Sequence, residues 1–102
     1  MHKLQYMPTA QQDLQEIVDY ITNNLLAPQA AVDLLDDFEK AFERLCTHPY
    51  SSRIYQPINP IDLEYRLLVV NNYLVFYIVL ENIVEIHRII YGRRDISETI
   101  MK

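Results

Sequence analysis

Apolar residues recur at helical spacing in two early stretches and then in unbroken short runs, and this change of period divides the chain. Leu14, Ile17, Val18, Ile21 and Leu25 form one stripe, and Ala31, Leu34, Leu35, Phe38, Ala41, Phe42 and Leu45 a second. Asp33, Asp36, Asp37, Lys40 and Glu43 occupy the opposite side of the second stretch, which predicts two amphipathic helices. Thr9-Ala10-Gln11-Gln12 fits a capping box at the start of the first, and Asn23-Asn24 predicts a frayed end. Pro28 suits the first turn of the second helix and His48-Pro49 its end. The few residues between the helices predict an antiparallel hairpin.

A short strand over about residues 2–7 precedes this hairpin, and three runs rich in Val, Ile, Leu and Tyr follow it, at 63–70, 73–80 and 83–91. Asn71-Asn72 and Glu81-Asn82 are tight-turn sequences, since asparagine tolerates positive φ, so these three strands are expected to run antiparallel. Residues 49–60, with Pro49, Pro57 and Pro60, read as an irregular loop. The order is β-α-α-β-β-β: an α+β domain spanning 1–102, with a small antiparallel sheet packed against the N-terminal hairpin. The middle strand, Tyr73 to Leu80, is apolar on both faces. Its outer face therefore forms either an exposed groove for a partner or a surface covered by a loop or the C-terminal tail.

Composition narrows the function classes. The net charge of −5 resides wholly in residues 1–49, which hold three basic side chains (Lys3, Lys40, Arg44) against eight acidic ones. Residues 50–102 carry six of each sign. Binding of nucleic acid by bulk electrostatics calls for a far more basic chain, whereas acidic helices suit a partner with basic residues. The single cysteine, Cys46, is expected to be small and buried, in a reducing cytoplasm. The amino terminus lacks the apolar core of a signal peptide and no run is long enough to span a bilayer. Without a metal-ligand cluster or nucleotide-binding glycine loop, neither metal nor cofactor is expected.

Candidate chemistry concentrates at Ile86-His87-Arg88-Ile89-Ile90-Tyr91-Gly92-Arg93-Arg94-Asp95. Here a strand runs into the only glycine of the chain and then two arginines. Gly92 is expected to adopt a conformation closed to other residues. Arg93 and Arg94 suit carboxylate or phosphate recognition through their planar guanidinium forks, or else close the strand and pair with the acidic helices. His87 is a candidate acid or base, and strand alternation places it with Glu85 and Ile89, opposite Arg88. Tyr91 could stack on a base or pad the sheet edge. Glu85 and Glu64 are the carboxylates nearest these strands.

These segments resemble the RelE/ParE superfamily of toxins from bacterial type II toxin–antitoxin systems. The resemblance rests on Ala10-Gln11-Gln12-Asp13-Leu14 with Ile17 and Tyr20-Ile21, Pro28 with Ala30-Ala31, Leu45 with Pro49, and Tyr65-Arg66. The most specific parts are Tyr73-Leu74-Val75-Phe76-Tyr77 and Arg88 to Asp95. It implies the RelE-like β-α-α-β-β-β fold, a cytoplasmic location, and a cognate antitoxin forming a toxin–antitoxin hetero-oligomer. It also implies one of two activities: RelE-like members cut mRNA on the ribosome without a metal, and ParE-like members, the plasmid-stabilisation branch, bind DNA gyrase.

Carried over residue by residue, the nuclease pattern places Arg66 and Arg94 at cationic positions, with His87 and Tyr91 as substitute acid–base groups. Leu74 and Ile100 stand where nucleases keep an arginine and a tyrosine. That, with the long hairpin and acidic balance, favours the ParE-like branch, with Arg88, Gly92, Arg93 and Arg94 as target-binding residues. The alternatives are a metal-independent mRNA endonuclease acting with ribosome and mRNA, and a degenerate chain that binds antitoxin without toxicity.

Overall fold

Two helices lie on one face of a five-stranded sheet in a computed structural model that describes residues 1–56 and 63–92. Among the described residues the elements are β1 (Lys3–Tyr6), α1 (Pro8–Asp19), a π-helical turn (Tyr20–Asn24), α2 (Pro28–Thr47), β2 (Arg53–Ile54), β3 (Arg66–Val70), β4 (Tyr73–Leu80) and β5 (Ile83–Tyr91). The α+β class and the helical hairpin are as the pattern predicts. The sheet order is β1-β5-β4-β3-β2. Strands β2 to β5 pair antiparallel, but β1 pairs parallel with β5, so the sheet is mixed. The reason is topological: β1 and β5 are far apart in sequence, so no hairpin turn dictates their relative direction. The proline-rich loop contributes the edge strand β2, too short to show a period of its own.

The helix ends depart from the sequence reading. Met7, not Thr9, is the N-cap of α1, and Pro8 takes the first helical position where its missing N–H costs nothing. Thr9 Oγ1 instead donates to the His87 carbonyl at 2.9 Å, and Gln12 bonds to Glu16. Asn23 and Asn24 do not fray; they close the π-helical turn, after which Leu26 sits in the left-handed region (φ 52°). For a leucine this conformation costs about 1 kcal/mol. Asn71 has φ 53° in the β3–β4 turn, as its sequence suggests, and its side chain donates to Asp37 on α2.

The core lies between hairpin and sheet, built from Ala10, Leu34, Phe38, Phe42 and Leu45 against Val75, Tyr77, Val84, Ile86 and Ile89. Tyr77 is fully buried and donates to the Pro49 carbonyl at 3.0 Å. Burial raises its phenol above the usual range. The outer face of β4 is not an open groove: Leu74 and Ile78 are buried, and Phe76 packs edge-on against Tyr55 from the loop.

Candidate functional site

A β-bulge in β5 decides which side chains meet. Phe76 pairs with Arg88 but Tyr77 pairs with Ile86, so His87 is the extra residue. The bulge shifts the period by one, and Ile89 joins the core with Val84 and Ile86 instead of sharing the His87 face. His87 and Glu85 do share the outer face. Glu85 Oε1 lies 2.7 Å from His87 Nε2, and the Tyr65 hydroxyl 2.9 Å from Nδ1. Both members of the Glu85–His87 pair are mostly buried.

Arg88 is held from the helix side. Asp13 on α1 accepts from Arg88 Nε at 2.7 Å and Nη2 at 3.1 Å, and its Oδ2 also accepts the Ile89 N–H at 2.9 Å. This hydrogen bonding raises the Arg88 guanidinium above its ordinary value, against a smaller lowering by burial. The predicted target-binding arginine is thus half-exposed but committed to a structural fork that ties α1 to the bulged strand. Asp13→Ala is expected to lower stability by about 1–3 kcal/mol, because it strands the part-buried Ile89 amide; chemical denaturation checks this.

Arg66 points elsewhere. Its guanidinium donates to the Ser52 carbonyl at 2.7 Å, packs over the Tyr50 ring at 5.0 Å, and meets Glu64 only at 3.8 Å. Its partner across the ladder is Tyr77, on the core face, so Arg66 and His87 lie on opposite faces of the sheet. Gly92 donates its N–H to Asn72 O but does not have positive φ, so the expected glycine-only conformation is absent. Arg93, Arg94 and Ile100 lie outside the described residues.

Beside the Asp13–Arg88 fork lies a groove of about 820 Å³ between α1 with its π-helical turn and the ends of β4 and β5. Ile17, Tyr20, Ile21, Leu25, Tyr73 and Tyr91 line it, and Asp13, Glu16 and Arg88 stand on its polar side. Tyr73 is its anchored floor, edge-on to Phe38 in the core and to Tyr91 at the rim. Burial raises the Tyr73 phenol, and the Tyr91 and Tyr20 hydroxyls add to the effect. Tyr20, Leu25 and Tyr91 are each more than half exposed. The π-helical turn contributes both Tyr20 and the bond from Leu25 N–H to Tyr20 O, so the irregular winding shapes this wall.

Sequence reasoning missed Asp13, Tyr65 and the Tyr20–Leu25 wall. Asp13 was findable: a carboxylate between Ala10 and Ile17 on the apolar stripe of α1 demands a partner when it is buried. The role of Tyr65 depends on the bulge, which no sequence period announces.

A helical hairpin packed against a five-stranded sheet is consistent with the RelE/ParE-like fold. The family model described as "ParE toxin of type II toxin-antitoxin system, parDE" matches residues 4–96. The chain belongs to the ParE toxin family. A solved structure titled "Chromosomal ParDE TA system from P. aeruginosa" shares the fold with a TM-score of 0.69. It is 20% identical and the match covers 90% of this chain and 97% of that one. No curated protein matches the chain.

Proposed function

We propose that this ParE-family toxin arrests growth by binding its target, with DNA gyrase favoured, and that a cognate antitoxin neutralises it in the cytoplasm by filling the aromatic groove. The observation that carries the binding mechanism is the dispersal of the nuclease groups. Cleavage through a 2′-OH needs base, acid and cations around one phosphate. Here Arg66 is turned onto backbone carbonyls on the core face, Leu74 is buried at the position of the nuclease arginine, and His87 lies on the other face. The antitoxin reading draws on the groove's exposed aromatic and aliphatic lining and on the P. aeruginosa neighbour, which is a ParDE system. The end of β5, with Arg88 and Gly92 followed by Arg93 and Arg94, is the proposed target contact.

The test is a purified supercoiling assay beside 5′-end mapping of a translated message. Gyrase inhibition with an intact message supports the reading, and new mRNA ends that require translating ribosomes overturn it. Arg94→Ala is expected to abolish growth arrest with an unchanged melting temperature; undiminished arrest removes the proposed contact.

The arrangement of Tyr65, His87 and Glu85 favours one second reading, the ribosome-dependent endonuclease. A carboxylate orienting an imidazole that also reaches a hydroxyl is an acid–base relay. His87→Ala separates the two: a nuclease loses cleavage by about 100-fold or more, whereas a binding toxin keeps its growth arrest.

A further inference from the structure

We propose that the aromatic groove is a receptor for a guanidinium: an arginine of the antitoxin segment that fills it lies flat against Tyr91 and Tyr73, with Glu16 as its counter-charge. This rests on the groove reading above and adds the chemistry of the contact.

Register and local winding bring three rings to one groove. Tyr73 and Tyr91 are directly opposite each other on β4 and β5, with ring centroids 5.4 Å apart at 69°. Tyr20 stands on the helix side, at the end of α1, its carbonyl held by the Leu25 N–H of the π-helical turn at 3.1 Å. Its hydroxyl is close enough to help raise the Tyr73 phenol. Aromatic faces carry negative quadrupole charge, and a cation within about 6 Å of a ring centre is attracted to them. The chain already contains such a pair, since the Arg66 guanidinium lies over the Tyr50 ring at 5.0 Å. Among the described residues no lysine or arginine stacks on Tyr20, Tyr73 or Tyr91.

Charge selects the occupant. The polar side of the groove holds two carboxylates, Asp13 and Glu16, against the single guanidinium of Arg88. Asp13 is engaged with Arg88 through the two-bond fork. Glu16 is exposed and accepts a hydrogen bond from Gln12 Nε2 at 3.2 Å. It lies one helical turn before Tyr20, so its carboxylate and that ring share one face of α1. An aliphatic occupant leaves this negative excess unmatched, and an acidic one is repelled by it. Arginine fits both surfaces: its methylene stem runs along Ile17, Ile21 and Leu25, and its planar head matches a ring face. The compact, strongly hydrated ammonium of lysine gains less from stacking. An ion pair with an exposed glutamate contributes little in water, so the rings supply most of the preference.

The test titrates the full chain, labelled with ¹³C in its tyrosine rings, with N-acetyl-arginine amide. The control is N-acetyl-citrulline amide, which has nearly the same shape without the charge. The expected result is shifted ring signals of Tyr20, Tyr73 and Tyr91 with the arginine probe, and binding of the citrulline probe about tenfold weaker. Tyr50, already covered by Arg66, stays unmoved. Tyr91→Phe keeps the binding because the ring face remains, Tyr91→Leu weakens it about tenfold, and Glu16→Gln weakens it about threefold at most. Equal shifts with citrulline, or none with either probe, overturn the proposal. So do shifts that appear only when Arg93→Ala and Arg94→Ala are introduced, which would give the rings to the chain's own arginines. Failure of the groove reading looks different: antitoxin affinity is then unmoved by Tyr20→Ala with Leu25→Asp, whatever the probes do.

Discussion

Tyr20→Ala combined with Leu25→Asp is expected to leave the toxin folded and toxic but to free it from its antitoxin, with affinity falling 100-fold or more, about 3 kcal/mol. Both side chains are more than half exposed, so neither supports the core. They line the groove from the π-helical turn and its end, whereas Arg88 and Gly92 belong to the end of β5, and the change therefore leaves the residues of the proposed target contact intact. The size of the effect follows from what the groove is made of. Its lining is aromatic and aliphatic around an anchored Tyr73, the composition that concentrates binding energy in a few desolvated contacts. Removing one ring and placing a carboxylate among the remaining apolar groups takes away burial and adds a desolvation cost. Calorimetry with the purified antitoxin and growth on co-expression read the same result in two ways. Neutralisation that stays intact would show that the antitoxin does not use this groove.

Much of the scaffold was legible in the sequence because it depends on local period. The hairpin follows from two stripes of 3.6-residue spacing, and the β3–β4–β5 meander from turns only two residues long. The limits of β4 and β5 coincide with the predicted 73–80 and 83–91. What escaped depends on long-range geometry. The parallel pairing of β1 with β5 joins residues about eighty positions apart. The bulge at His87 changes the face of Ile89 and brings Tyr65 to the imidazole, although each side chain alone looks like an ordinary strand residue. Arg88 illustrates the point for function: read along the chain it is a free cation before Gly92, yet in space it is the second half of an Asp13 fork. The signal for that fork lay on α1, not on the strand.

Phe42→Ala is expected to be the most damaging single truncation, costing about 3–5 kcal/mol of the folding free energy. The ring is fully buried, stacked on Phe38 at 5.8 Å and edge-on to Tyr6 at 5.9 Å, so it joins α2 both to its own preceding turn and to β1. Alanine leaves a void on two sides, and the aromatic partners cannot close it without leaving their own rotamers. A domain of this size has roughly 5–15 kcal/mol in all, so the loss takes a third or more of it and lowers the melting temperature by on the order of 20 °C. Urea denaturation should show a lower midpoint at an unchanged slope, which separates lost stability from a change in the unfolded state. Phe42→Leu, which keeps most of the volume, should cost less than half as much. A loss below about 1.5 kcal/mol for the alanine variant would mean that the hairpin is held by its α1–β5 side, through Asp13, and that the Tyr6–Phe42–Phe38 ladder is packing without much consequence.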